Sequence, residues 1–323
     1  MGGRLAEETV AADEAATIAE FVAFLQQSSA SRPRAPGAPI GRFNQARAAG
    51  CVEAEFAVPA DLPPALKVGL FAQPGTYPAR VRFANANSSS DRERDIRGMS
   101  VKVRGVTGEN LTPGVTDQDF VLNSHPVMMA PDARNFLELL RANEAGGLRR
   151  ILYFLTHPKA AGIARASLQQ PTCHLDIPYW SATPYLFGDG RAVKYRMRPP
   201  RHQQRSPAPT GTASYLTDAL RTRLAAGEAV FELAVQLQTD PERMPIEDAS
   251  IEWREDAAPF QTVATLRIPA QRFDSPEQAA TCEAMRFSPW HALVPHRPLG
   301  GMNRARRAIY EAMSAFRAGG SRG

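Results

Sequence analysis

Lysine is scarce in this chain of 323 residues: only Lys67, Lys102, Lys159 and Lys194 stand among 38 basic residues. Its cationic chemistry is therefore almost wholly guanidinium, a planar fork that suits carboxylates and phosphates better than an ammonium does, although an arginine-favouring genome accounts for the same bias more simply. No block of basic residues stands out, and 38 basic against 33 acidic residues leaves only +5, too thin a footprint for a nucleic-acid binder. Cysteine is limited to Cys51, Cys173 and Cys282, with no CxxC pair, which excludes a disulfide framework and makes structural zinc unexpected. The most apolar stretches, Ile151 to Leu155 and Ala229 to Leu237, fall far short of the roughly 20 residues of a membrane span. The first thirty residues carry no basic segment followed by a long apolar one, so no signal peptide and a cytoplasmic location are expected. A Walker-type glycine loop and internal repeats are also missing. With 43% hydrophobic and 22% charged residues, the chain lies outside the disordered regime and can bury a full core.

The residues present alternate in short runs. Cys51 to Val58, Ala79 to Ala84 and Met99 to Val103 read as strands, with further extended segments at Asp119 to Asn123 and Pro126 to Ala130. Ahead of them, residues 6 to 27 predict a helix with Ile18, Phe21, Val22 and Leu25 on one face. A Pro/Gly/Arg-rich connector, Ser31 to Gly41, follows it. A helical block is expected from Asp132 to about Ser167, with Asp132 as its cap. Strands resume at Ala192 to Met197, Ala229 to Gln238 and Gln261 to Ile268 after the long loop Pro199 to Thr212, and two helices, Pro276 to Met285 and Asn303 to Phe316, close the chain. Many strands without βα alternation argue for an α+β domain, an antiparallel barrel flanked by helices.

The last helix carries the most chemistry. Arg306 stands one turn before Tyr310 and Arg317 two turns after it, so a phenol lies between two guanidiniums on nearly one face. A neighbouring positive charge favours phenolate, the form in which tyrosine binds ferric iron. An arginine-rich surface helix would produce the same spacing. The segments upstream add to it: Val81-Arg82-Phe83-Ala84 precedes Arg94-Asp95-Ile96-Arg97-Gly98-Met99-Ser100-Val101-Lys102, Asn123 lies three residues before Pro126, and Phe136 lies ten after it. Taken together over residues 38 to 317, the chain resembles the haem catalases, specifically their short single-domain branch. Those enzymes share RxxxY with a further arginine seven residues on, a VRFS segment, RDxRGxxVK, and an asparagine and phenylalanine at these spacings. The resemblance implies a catalase-like β-barrel binding haem b, with Tyr310 as axial ligand and metal-binding residue. It implies Arg42, Arg82 and Arg317 pairing the propionates, Arg306 beside the ligand, Phe136 against the porphyrin and Asn123 in the distal pocket. It also implies a division into an arm and connector (1–37), a haem-binding domain (38–318) and a disordered tail (319–323). A homodimer is expected, with the arm packed on a neighbouring subunit.

One departure decides the functional expectation. The family's catalytic distal histidine falls at Gln45, in Arg42-Phe43-Asn44-Gln45, and its orienting serine at Ala84; Met128 and Met129 replace two phenylalanines. A histidine that takes and returns the peroxide proton contributes about 10²- to 10⁴-fold, and an amide cannot accept that proton at ordinary pH. The expected activity is therefore that of a haem peroxidase or weak catalase acting on a peroxide or organic hydroperoxide, without full classical catalase turnover. The alternatives are a hydroperoxide isomerase or dehydratase and a catalytically degenerate haem sensor or carrier. Among the other groups, His125 reads as a loop histidine, His291 and His296 as supports of the loop before the last helix, and Cys173-His174 with Asp176 as a remote metal candidate.

Overall fold

A computed structural model describes residues 3–33, 40–86, 89–207 and 211–319. The 37/38 domain boundary and residues 320–323 of the expected tail lie outside the described residues. The described residues form nine strands, whose successive side chains point to opposite faces of the sheet: β1 (Arg47–Val58), β2 (Gly75–Asn85), β3 (Arg97–Val103), β4 (Gln118–Asn123), β5 (Tyr179–Trp180), β6 (Tyr185–Leu186), β7 (Ala192–Arg198), β8 (Ala229–Leu237) and β9 (Gln261–Ile268). Their order is β5-β4-β3-β2-β1-β9-β8-β7, and β5 pairs back onto β7. An eight-strand antiparallel barrel is thereby closed, which removes the open edges a sheet must otherwise protect; β6 adds to β7. Val81 and Phe83 of β2, Met99 and Val101 of β3, and Phe120 and Leu122 of β4 fill the barrel. The intervening residues form its outer face. Register sets Cys51, Arg82, Ser100 and Val121 in one outer row, and Ala48, Ala84, Gly98 and Asn123 in the next.

The helical block resolves into three helices, α2 (Ala133–Ala145), α3 (Gly147–Thr156) and α4 (Pro158–Ser167). Asp132 caps α2, accepting from the Asn135 N–H at 2.8 Å. Gly146 and Gly147, at φ of 61° and 48°, turn the chain between α2 and α3 in a conformation that a side chain resists. Pro158 opens α4 at the first-turn position where its missing N–H costs nothing. Pro126 to Ala130, expected as a strand, is a series of bends; Pro126 offers no N–H to a ladder, and the Met128 N–H is taken by the Ala249 carbonyl at 2.9 Å. The helix α5 (Tyr215–Ala226) was not expected, yet Leu216, Leu220 and Leu224 are buried at its four-residue spacing. The closing helices are α6 (Pro276–Ala284) and α7 (Gly301–Gly319).

The arm begins its helix, α1 (Glu14–Ser31), later than expected. Rather than leaving the body, it packs on α2 and α7 of its own chain through Phe21, Leu25, Leu137, Ala305 and Met313. Arg304 of α7 fastens it, binding Glu14 at 2.7 Å and Glu8 at 2.6 Å.

Two histidines inside the fold are held neutral. Burial, and after it the Arg97 charge, pushes His174 down to about 3; burial pushes His296 down to about 4. The His296 Nε2 accepts the Leu70 N–H at 3.1 Å, a bond that the protonated ring loses. An unfolded histidine takes its proton near 6.5, so below that pH the unfolded chain binds more protons and stability falls. The urea midpoint is expected to drop between pH 6.5 and 5, above the range where ordinary carboxylates titrate, and a flat midpoint over that window would contradict the assignment.

Candidate functional site

Tyr310 sits half-buried on α7, midway along a helix whose first turns are anchored in the core by Met302, Asn303 and Ala305. One turn earlier, Arg306 donates through Nη2 to the Tyr310 hydroxyl at 3.5 Å and through Nη1 to Asn303 Oδ1 at 3.1 Å and Thr183 Oγ1 at 3.2 Å. Burial alone would depress this guanidinium, but the phenols of Tyr310 and Tyr185 outweigh it and its pKa is raised. Arg306 is thus a fixed cation whose orientation is set by two oxygens other than the tyrosine's. Tyr185, from the loop that carries β6, is a neighbour that the spacing on α7 could not reveal.

Arg42, Arg82 and Arg317 come from three separate parts of the chain and converge. Arg42 precedes β1, Arg82 projects from the outer face of β2, and Arg317 lies seven residues past Tyr310, about 10 Å along the helix at 1.5 Å per residue. All three approach the Glu283 carboxylate, at 3.7, 3.5 and 3.9 Å respectively. Three cations share one half-exposed carboxylate. Burial, and after it the charges of Arg82 and Arg317, lowers Arg42 to about 10, the mark of a cluster with more positive charge than its own carboxylate neutralises. The Nε atoms of Arg42 and Arg82 are buried without a hydrogen-bond partner, an arrangement that costs free energy unless a further acceptor arrives.

Glu283 was not foreseen, and neither was what places it there. Cys51 of β1 and Cys282 of α6 form a disulfide, so a chain too poor in cysteine for a framework still has one cross-link. Cys51 is registered beside Arg82, and the cross-link therefore sets α6, with Glu283 next in sequence, against the arginines. Nothing in the spacing of residues 231 apart signalled the pair.

Gln45, which precedes β1, lays its side chain on the neighbouring outer row. Its backbone is in the left-handed region, at φ 55°, which a residue other than glycine enters only where the surroundings impose it. Its N–H is tied to the Ala86 carbonyl at 3.1 Å and to Asn44 Oδ1 at 2.8 Å. The side-chain amide lies directly on Gly98: a Cβ there would come within 2.0 Å of Gln45 Oε1. Since Gly98 is registered between Ala84 and Asn123, Gln45, Ala84 and Asn123 surround one small-residue patch. Gln45 Oε1 is buried without a partner. Asn123 Oδ1 is committed, accepting the His125 N–H at 3.0 Å.

The remaining candidates have the following neighbours. Phe136, on α2, packs tilted against Phe21 of α1 with ring centroids 6.1 Å apart. Met129 belongs to the cluster of Leu139 and Tyr153. His291 Nδ1 meets Asp119 Oδ2 at 2.9 Å, and His296 joins the core beside Phe71 and Phe187, so both brace the approach to α7. Cys173 is a buried thiol, pushed up to about 11 chiefly by burial. Asp176 engages Thr172, Ser206 and Arg223. No group of three metal-ligating side chains forms among the described residues, and no described helix is long and apolar enough to cross a membrane.

No protein-family model matches the chain, and no curated protein matches it in sequence. Solved structures do. A fungal catalase superposes with a TM-score of 0.70 at 16% identity, covering 99% of this chain and 65% of its own. A bacterial catalase superposes with a TM-score of 0.67 at 15% identity, covering 93% and 60%. The chain thus spans 65% and 60% of the length of these two catalases. Such low identity speaks for architecture alone, and on it the chain has the catalase-like fold, an antiparallel β-barrel flanked by helices.

Proposed function

We propose that this chain binds haem b, with Tyr310 as the iron ligand, and acts as an oxidoreductase on a peroxide or organic hydroperoxide. The observation that carries the reading is the convergence of Arg42, Arg82 and Arg317, each from a different segment, around a single carboxylate with buried donors left over. A dianionic edge fits that surplus, because a planar guanidinium pairs a carboxylate through two parallel hydrogen bonds. The Tyr310 charge acts on Arg42, so the phenol and the anion site belong to one neighbourhood. When bound, ferric haem supplies the redox chemistry that cleaves an O–O bond.

The residues divide the remaining tasks. Arg42, Arg82 and Arg317 hold the propionates. Arg306, fixed by Asn303 and Thr183, donates to the Tyr310 oxygen and holds a positive charge beside it. Gln45 and Asn123 donate amide hydrogens that orient a peroxide oxygen. Neither accepts a proton at ordinary pH, and Ala84 offers no hydroxyl to assist. Proton delivery then falls to the substrate or to water, which suits a hydroperoxide that is rearranged or dehydrated better than rapid dismutation of hydrogen peroxide. The Gln45–Ala84 pair is the observation that favours this isomerase-type reading over full catalase turnover. A haem carrier or sensor shares the binding site but not the turnover.

The direct test is titration of the apoprotein with haemin, followed by mixing with hydrogen peroxide and with an organic hydroperoxide. A saturable 1:1 shift of the Soret band with consumption of the organic hydroperoxide is expected. An unchanged free-haemin spectrum overturns the reading, and binding without consumption of either peroxide leaves only the carrier or sensor.

A further inference from the structure

The helix α3 shows solvent a face that a soluble helix normally buries. Leu148, Ile151, Leu152 and Leu155 recur at i, i+3, i+4 and i+7 on one stripe, and they are 70%, 55%, 50% and 72% exposed. The helix is nonetheless well docked, because its opposite face supplies the anchors. Tyr153 is buried, stacks on His157 at 4.2 Å between centroids, and donates to the Asn135 carbonyl at 3.4 Å, while Phe154 packs with Leu139. The exposed stripe is therefore a second apolar face on a fixed helix, not the fraying of a loose one. Leu168, 39% exposed just past α4, extends it.

The charge carried by α3 and α4 themselves is of one sign. Residues 147 to 168 contain Arg149, Arg150, Lys159 and Arg165 and no aspartate or glutamate. The four basic residues are all exposed. Acidic groups nearby come from other elements: Asp248 lies 3.7 Å from Lys159, and Glu144 and the Glu20–Arg141 pair, at 2.9 Å, flank the start of α3. Among the described residues, Arg149, Arg150 and Arg165 have no carboxylate within ion-pairing distance.

We propose that α3 and α4 form a docking surface for an anionic lipid bilayer, with the leucine stripe inserted at the headgroup boundary and the arginines meeting the phosphates. An apolar stripe on a helix flanked by basic residues is the pattern of helices that lie in that interface. A second copy would present the same two helices, which carry basic residues and no aspartate or glutamate, so it offers this face no charge complement and is the poorer occupant. The exposed stripe is also wholly aliphatic, whereas protein interfaces centre on aromatic anchors. This inference stands independently of haem binding, and it suits a substrate drawn from a membrane.

Co-sedimentation with phosphatidylcholine vesicles and with equimolar phosphatidylcholine–phosphatidylserine vesicles tests it, using the whole chain. Binding to the anionic vesicles is expected, weakening as salt is raised. The double variant Leu148→Asp/Leu155→Asp, both changes at exposed positions, is expected to lower the partition coefficient by at least about tenfold. Arg149→Glu/Arg150→Glu is expected to do the same for the anionic vesicles only. Absence of binding overturns the proposal. So does binding that survives the leucine changes, which would trace it to general positive charge. A dimer in sedimentation velocity that the leucine changes dissociate, without vesicle binding, would assign the face to a second copy instead.

Discussion

Tyr310→Phe is expected to weaken haemin binding by more than about 100-fold and to remove the phenolate-to-iron absorption of the ferric protein. The change deletes one oxygen and leaves the ring in place on α7. Arg306 loses an acceptor at 3.5 Å but keeps Asn303 and Thr183, so the helix has little reason to shift. Removing a group that merely supports a metal ligand costs about 10- to 100-fold in affinity, and loss of the ligand itself exceeds that. Arg317→Ala provides the contrast: it removes one of three cations at the propionate site and should weaken binding without altering the ligand-dependent absorption. Equal affinity and an unchanged spectrum in Tyr310→Phe would show that the iron ligand is elsewhere.

Gln45→His with Ala84→Ser is expected to raise hydrogen peroxide consumption by about 10²- to 10⁴-fold, the usual contribution of a positioned acid–base group. The backbone favours the exchange, since histidine is among the residues that tolerate the left-handed conformation found at Gln45. Gly98 leaves the space in which the present amide lies, and a hydroxyl at position 84 would sit in the same outer row, on the strand next to Gly98. The gain should carry a signature that improved packing would not. The rate should rise with pH through the histidine range near 6.5, whereas the parent should be flat there. A gain of less than about tenfold, or one without that pH profile, would mean that the missing proton acceptor does not limit turnover.

The sequence showed the parts of this site that are local in the chain. Arg306, Tyr310 and Arg317 share a helix, and their relation follows from helical periodicity alone. The outward positions of Arg82 and Ala84 follow from alternation along β2, since Val81 and Phe83 fill the barrel. What escaped depends on contacts distant in sequence. Glu283 meets the three arginines only because Cys282 is bound to Cys51, and Tyr185 reaches Arg306 only through the loop around β6. The docking of α1 on its own α2 and α7 joins apolar residues far apart in the chain and is fastened by Arg304 meeting Glu8 and Glu14, pairs that no local pattern announces. The missed α5 is a different case, because its leucines at 216, 220 and 224 were visible and only the adjoining loop composition hid them.

The Cys51–Cys282 cross-link also acts on the chain when it is not folded. Its two ends are 231 residues apart, and every strand from β2 to β9 lies between them. Joining such distant points shrinks the space an unfolded chain can explore, by a chain-entropy estimate worth about 5 kcal/mol. A whole domain is commonly stable by only about 5–15 kcal/mol. The oxidised and reduced polypeptides would therefore share one barrel and one set of contacts, yet differ in how readily they lose it. Much of the resistance of this barrel to unfolding would reside in conformations that it never adopts while folded.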